Sequence, residues 1–310
     1  MLVFLLLHLV TLCSCHQVVL LTGGSSDGSA YLSTTEVLTL ETNQESCISP
    51  ALPSPRGGHV TALTTDNLLL TCGGQGNAGE DDLSCLVLDV TAGQWLPHST
   101  LDRPRLLSSS VITPHGLLLL GGQDNKTTSS ILQTGSTLWV PGPDIPGFGA
   151  DLSCAVAISS SQFLLIGGAG VSTGGQVLEY NWLTEEWTEW LQLEDSRFGH
   201  SCLKLGDTVV VTGGYSKSQD LVLDLATKET RPGGVMQSGA RRFFGTATLL
   251  DVNEVLAFGG LNDEGQTLNT VEELRREEDG EAWQEKEVFI ETPRYSFGSV
   301  AAPRDSVCAV

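Results

Sequence analysis

Apolar residues along this chain gather in short unbroken runs, and the runs stop at paired glycines. VVLLTGG closes at Gly23-Gly24, NLLLTCGG at Gly73-Gly74 and GLLLLGG at Gly121-Gly122. QFLLIGG, TVVVTGG and EVLAFGG follow, at Gly167-Gly168, Gly213-Gly214 and Gly259-Gly260. The intervals are 50, 48, 46, 46 and 46 residues. A fixed period of this length marks an array of supersecondary units. Glycine weakens a strand interior, so a pair placed at the end of each run points to a backbone need that other residues cannot meet. The pairs at 57–58, 174–175 and 233–234 lack the preceding run and read as loop glycines.

Between the glycine pairs the pattern has period two, which predicts four short strands per unit and an all-β chain. The first strand follows an arginine: RGGHVTALT from Arg56, RLLSSSVIT from Arg105, RFGHSCLKL from Arg197 and RFFGTATLL from Arg242. Gly149 takes that place in the fourth unit. The second strand is the apolar run. The third and fourth form a hairpin in which Leu88 and Trp95, Leu132 and Trp139, and Tyr180 and Trp187 stand at one fixed separation. Leu274 and Trp283 are two residues further apart.

This combination of Gly-Gly, aliphatic or aromatic residue and Trp, at a period near fifty, resembles the kelch repeat. The resemblance covers nearly all of the chain and implies a six-bladed β-propeller. It also gives the repeated residues a structural role, the glycines allowing close approach of neighbouring blades. The chain enters on a second strand, QVVLLTGG, and ends on an unpaired first strand, RYSFGSVAA from Arg294. The C-terminal strand is therefore expected to complete the N-terminal blade. The trailing SVCAV has no assigned place.

The N-terminus, MLVFLLLHLVTLCSC, has the apolar stretch and small-residue end of a secretory signal peptide over residues 1–15, leaving 16–310 as one propeller. No Lys or Arg precedes the stretch, and a buried N-terminal strand is the alternative. It is too short to span a membrane, which takes about 20 residues. Six further cysteines then permit disulfides. Cys72 and Cys85 fall on adjacent antiparallel strands of one unit and are expected to pair. Cys154 and Cys202 occupy equivalent places in adjacent units and are open between a bridge and buried thiols. Cys47 and Cys308 form a third conceivable pair. Asn125, in NKT, is a glycosylation sequon in an expected loop.

A net charge of −21 excludes a nucleic-acid partner, which needs a basic stripe. In propellers of this kind the loops after the second and fourth strands share one face. Asp81, Asp82 and Asp263 lie in those loops beside Arg56, Arg105, Arg197, Arg242 and Arg294. An inward arginine ring would hold a carboxylate or phosphate; the alternative is that each arginine bonds carbonyls and acids of its own surroundings. His59 and His200 fall in opposite units and are expected to be structural. The resemblance extends to sialic acid mutarotases and copper radical oxidases, but Tyr31, Tyr180, Tyr215 and Tyr295 are too scattered for the oxidase centre. The reading is an extracellular, monomeric binding module for a protein or glycan partner, without cofactor or metal; the alternative is a sugar-modifying enzyme of the mutarotase kind.

Overall fold

The computed structural model describes residues 17–39, 49–147, 149–169, 175–249, 254–277 and 280–308. The expected signal peptide, Cys47 and residues 170–174 fall outside them. The described strands form six antiparallel sheets, one for each glycine pair. Blade 1 contains Gln17–Thr22, Thr35–Leu38 and Gly298–Pro303. Blade 2 has Val60–Leu63, Leu69–Cys72, Ser84–Asp89 and Gln94–Thr100. Blade 3 has Ser109–Thr113, Gly116–Leu120, Ser129–Gln133 and Trp139–Pro141. Blade 4 has Cys154–Ala157, Gln162–Ile166, Gln176–Asn181 and Glu186–Gln192. Blade 5 has Ser201–Leu205, Thr208–Thr212, Gln219–Asp224 and Thr230–Val235. Blade 6 has Gly245–Leu249, Glu254–Phe258, Thr270–Glu277 and Gly280–Phe289. The first strand of each blade touches that of the next, and the sixth touches the first, which makes a closed six-bladed propeller.

The unbroken apolar runs are explained by their place in the ring. Each second strand is covered on both faces by neighbouring blades, so alternation with polar residues is lost. Leu20 packs toward blade 2, with Leu69, Leu88 and Trp95, while the adjacent Leu21 packs toward blade 6, with Leu256 and Phe258. Six such apolar clusters lie one at each junction. The tryptophans of the fourth strands stand opposite Leu88, Leu132, Tyr180 and Leu274, in the register the spacing predicts.

Closure is made by six residue pairs running from Gln17 opposite Pro303 to Thr22 opposite Gly298. The tail after it turns through Arg304–Ser306 and buries Val307 and Cys308 against Val18 and Leu20. Cys72 and Cys85 face one another in blade 2 and are disulfide-bonded, with Cα atoms 4.1 Å apart. Cys154–Cys202 staples the first strands of blades 4 and 5. Each of these loops contributes about 3–4 kcal/mol in the chain-entropy picture. Cys308 is disulfide-bonded as well, and Cys47 lies outside the described residues.

Two sequence expectations need correction. Gly233 and Gly234 are not loop glycines: they lie in the fourth strand of blade 5, where a Cβ on Gly234 would meet the Trp283 indole of blade 6 at 3.0 Å. The arginine register also shifts by one residue in two units. Arg241, not Arg242, takes the repeated position in blade 6, and Ala150, not Gly149, takes it in blade 4, as their hydrogen bonds establish below.

Candidate functional site at the channel mouth

The glycine pairs and the arginines form one device. The second glycine of each pair donates its N–H to a carbonyl of the next blade. Gly24 reaches Arg56 at 2.9 Å, Gly74 reaches Arg105 at 3.0 Å and Gly122 reaches Ala150 at 2.9 Å. Gly168 reaches Arg197 at 2.8 Å, Gly214 reaches Arg241 at 2.6 Å and Gly260 reaches Arg294 at 2.8 Å. The guanidinium then donates to the first glycine carbonyl of its own blade, as Arg105 does to Gly121 at 2.8 Å and Arg241 to Gly259 at 3.0 Å. Arg56, Arg197 and Arg294 repeat this with Gly73, Gly213 and Gly23. At Gly23, with φ +57°, a Cβ would come within 2.5 Å of the Arg56 carbonyl oxygen, so the contact between blades requires glycine there.

Three of these arginines also meet an acid: Arg56 with Asp82 at 2.7 Å, Arg241 with Glu272 at 2.7 Å and Arg294 with Glu36 at 3.2 Å. Burial pushes the Arg105 guanidinium down to about 10, still charged at neutral pH. All five are buried and engaged with carbonyls of their own blades.

Two positions beyond each clamp residue stand Gly58, Leu107, Leu152, Gly199, Phe243 and Ser296, all with φ between +51° and +65°. Their main chains form a closed ring of hydrogen bonds around the axis. Gly58 donates to Ser296 (2.8 Å), Leu107 to Gly58 (2.8 Å) and Leu152 to Leu107 (3.4 Å). Gly199 donates to Leu152 (2.8 Å), Phe243 to Gly199 (2.9 Å) and Ser296 to Phe243 (2.9 Å). The four non-glycine members hold a left-handed conformation that costs about 1 kcal/mol or more each, which the ring offsets.

The next residues, His59, Ser108, Ser153, His200, Phe244 and Phe297, line an axial cavity of about 140 Å³ together with the ring. None of the five clamp arginines lines it. His59 and His200 stand in blades 2 and 5, opposite in the ring. The His200 Nε2–H donates to the Ile166 carbonyl at 3.1 Å, and His59 Nε2 bonds Thr22 Oγ1 at 2.8 Å. Each imidazole thus fastens its blade to the preceding one. Among the described residues no group of three or more His, Cys, Asp or Glu is placed to hold a metal ion.

Burial, with Arg56 and Arg197 nearby, pushes both histidines down to about 3. They are neutral in the fold but protonate near pH 6.5 when unfolded, so their stabilisation is complete above pH 6.5 and is lost as pH falls towards 3. At pH 5 the loss is about 2 kcal/mol for each. Asp220 opposes this. Burial pushes it up to about 7, although the Trp283 indole N–H donates to it at 2.7 Å, so its contribution declines as pH rises from about 4 to 7. In an Asp220→Asn background, His200→Phe, the residue type blades 1 and 6 use at this position, is expected to flatten the fall in urea midpoint between pH 7 and pH 5. An unchanged slope would contradict a neutral, buried His200.

Outside the ring the loop face carries two features. On blades 5 and 6 the Tyr215 ring stacks on Phe198, with centroids 5.3 Å apart and planes at 14°. The Arg242 guanidinium lies over Tyr215 at 5.0 Å. Arg242 also donates to the Asn262 carbonyl at 3.2 Å and approaches Asp263 at 3.8 Å. Tyr215 is 52% exposed. The structure therefore brings the expected pair Arg242 and Asp263 together on the surface, and Arg56 and Asp82 together in a buried clamp. Asp81 is exposed, its main chain bridged to Gln75. Asn125 lies in the blade 3 loop, its Nδ2 donating to the Pro104 carbonyl at 3.1 Å. The second feature is a cavity of about 270 Å³ over blades 1, 2 and 3, between Tyr31 and Tyr295. Neither the axial ring nor the stack on Tyr215 was among the expected sites. The ring uses main-chain groups of unlike residues, and the stack joins residues from separate loops.

Fold and rim together define a six-bladed β-propeller with a closed axis and an aromatic, arginine-bearing mouth. The solved structure of YjhT shares this fold, with a TM-score of 0.70 and 13% sequence identity over 85% of this chain and 96% of that one. Two Arabidopsis thaliana proteins are similar in sequence. Acyl-CoA-binding domain-containing protein 4 is 27% identical over 237 residues, covering 66% of this chain and 35% of its own length. Acyl-CoA-binding domain-containing protein 5 is 26% identical over 238 residues, covering 66% of this chain and 36% of its own. The chain thus spans about a third of the length of these curated relatives. No protein-family model matches it.

Proposed function

We propose that the chain is a secreted binding module that takes a protein partner on its loop face, centred on Phe198, Tyr215 and Arg242. The observation that carries this is the stack itself. An exposed tyrosine held between a phenylalanine and a guanidinium is a rigid anchor of the composition found at interface hot spots. Secretion is supported by the signal-like residues 1–15 and by two disulfides, which suit an oxidising compartment. No helix among the described residues is long and apolar enough to cross a membrane. A sugar-acid enzyme would need free cationic groups in the channel, and the buried clamp arginines are already engaged with carbonyls.

The test is affinity capture from extracellular fluid of the source organism, comparing wild type with Arg242→Ala and Tyr215→Ala, both folded by circular dichroism. Partners retained by wild type and lost from both variants are expected. Capture that is the same for all three proteins would overturn the reading.

A further inference from the structure

The cavity over blades 1 to 3 differs in character from the rest of this acidic protein. Its lining holds no Asp, Glu, Lys, Arg or His. Its floor is the axial ring at Gly58, Leu107 and Ser296, with Leu106 beside it. Its walls are two tyrosines, each seated on a glycine. The Tyr31 ring covers Gly57, where any Cβ would run into it, and the Tyr295 hydroxyl sits 3.1 Å from where a Cβ of Gly28 would be. Both backbones are fixed. Asn77 accepts from the Tyr31 N–H at 2.5 Å and donates to the Tyr31 carbonyl at 3.3 Å. Tyr295 exchanges two main-chain hydrogen bonds of 2.9 Å with Ser25. Burial, and then the neighbouring Tyr295, raises the Tyr31 phenol, so the wall stays uncharged.

Two prepositioned aromatic rings, an amide-and-hydroxyl lining and a volume near the lower end for small-molecule pockets fit one compact ligand that is rich in hydroxyls and has an apolar face. An anionic ligand would find no cation in the lining and would meet the carboxylates of Asp27, which accepts from Ser29, and Glu80, which packs on Gly76. We infer that this Tyr31–Tyr295 cavity is a binding site for a single uncharged sugar ring, free or at the end of a glycan. Tyr31 and Tyr295 supply the stacking faces, and Gln75 and Gln123 supply hydrogen bonds. The site stands independently of the Arg242 patch, which is built from other blades.

The test is saturation-transfer NMR on the full chain with methyl glucoside, methyl galactoside and N-acetylglucosamine, against glucuronate as the anionic control. At least one neutral sugar is expected to receive saturation, and glucuronate to receive none. Tyr295→Ala is expected to weaken binding about tenfold. Tyr295→Phe and Gln123→Ala guard against a folding defect and are expected to weaken it by smaller factors. A neutral oligosaccharide ending in the same sugar distinguishes the sources: binding tighter than its methyl glycoside assigns the site to glycan ends, and equal binding to free sugar. No saturation of any neutral sugar, equal binding of glucuronate, or binding indifferent to all three variants would overturn the inference.

Discussion

Removal of Arg294–Val310 is expected to leave a protein without a cooperative unfolding transition. This segment supplies the strand that pairs with Gln17–Thr22 along its whole length. It also supplies Arg294, whose guanidinium holds the Gly23 and Thr34 carbonyls and pairs with Glu36. Ser296 makes two of the axial ring's six hydrogen bonds, to Gly58 and to Phe243. Losing the segment opens the ring and bares the edge of the Gln17–Thr22 strand. Val307 and Cys308 no longer cover Val18 and Leu20. Thermal melting and size-exclusion chromatography of the truncated chain are expected to show a broad, featureless transition and aggregates. A monomer melting at the wild-type temperature would mean that the ring does not depend on this strand.

How much of this is legible in the sequence depends on whether a contact demands a residue type. The glycine pairs are legible because a Cβ at Gly23 or Gly73 would strike the next blade's carbonyl, a need that recurs at Gly121, Gly213 and Gly259. The Trp positions are legible because each indole fills a junction wedge opposite a fixed partner. The closing strand and Cys72–Cys85 follow from that register. The axial ring leaves no such mark. Its bonds join main-chain atoms, and its left-handed residues are Gly, Leu, Leu, Gly, Phe and Ser in chain order from Gly58. That tolerance also misplaces the arginine of blade 6. Aligning Arg242 with Arg197 matches the following Phe, but the left-handed position falls on Phe243, which puts Arg241 in the clamp. The Tyr215 stack and the seat of Tyr31 join separate loops, and spacing does not report such contacts.

The neighbouring arginines 241 and 242 therefore separate structure from function within one dipeptide. Arg241 is fully buried and holds the Gly259 and Thr270 carbonyls as well as Glu272, itself fully buried. Arg241→Ala leaves that carboxylate without its cation, at a cost of about 3–5 kcal/mol. Arg242 sits on the surface stack, and Arg242→Ala is expected to cost about 1 kcal/mol or less. The decisive measurement is urea unfolding and partner capture on both variants side by side. The account predicts that Arg241→Ala loses about 3–5 kcal/mol of stability, while Arg242→Ala loses about 1 kcal/mol or less and no longer retains the partner. An Arg241→Ala protein as stable as wild type, or an Arg242→Ala protein that still retains the partner, would contradict it.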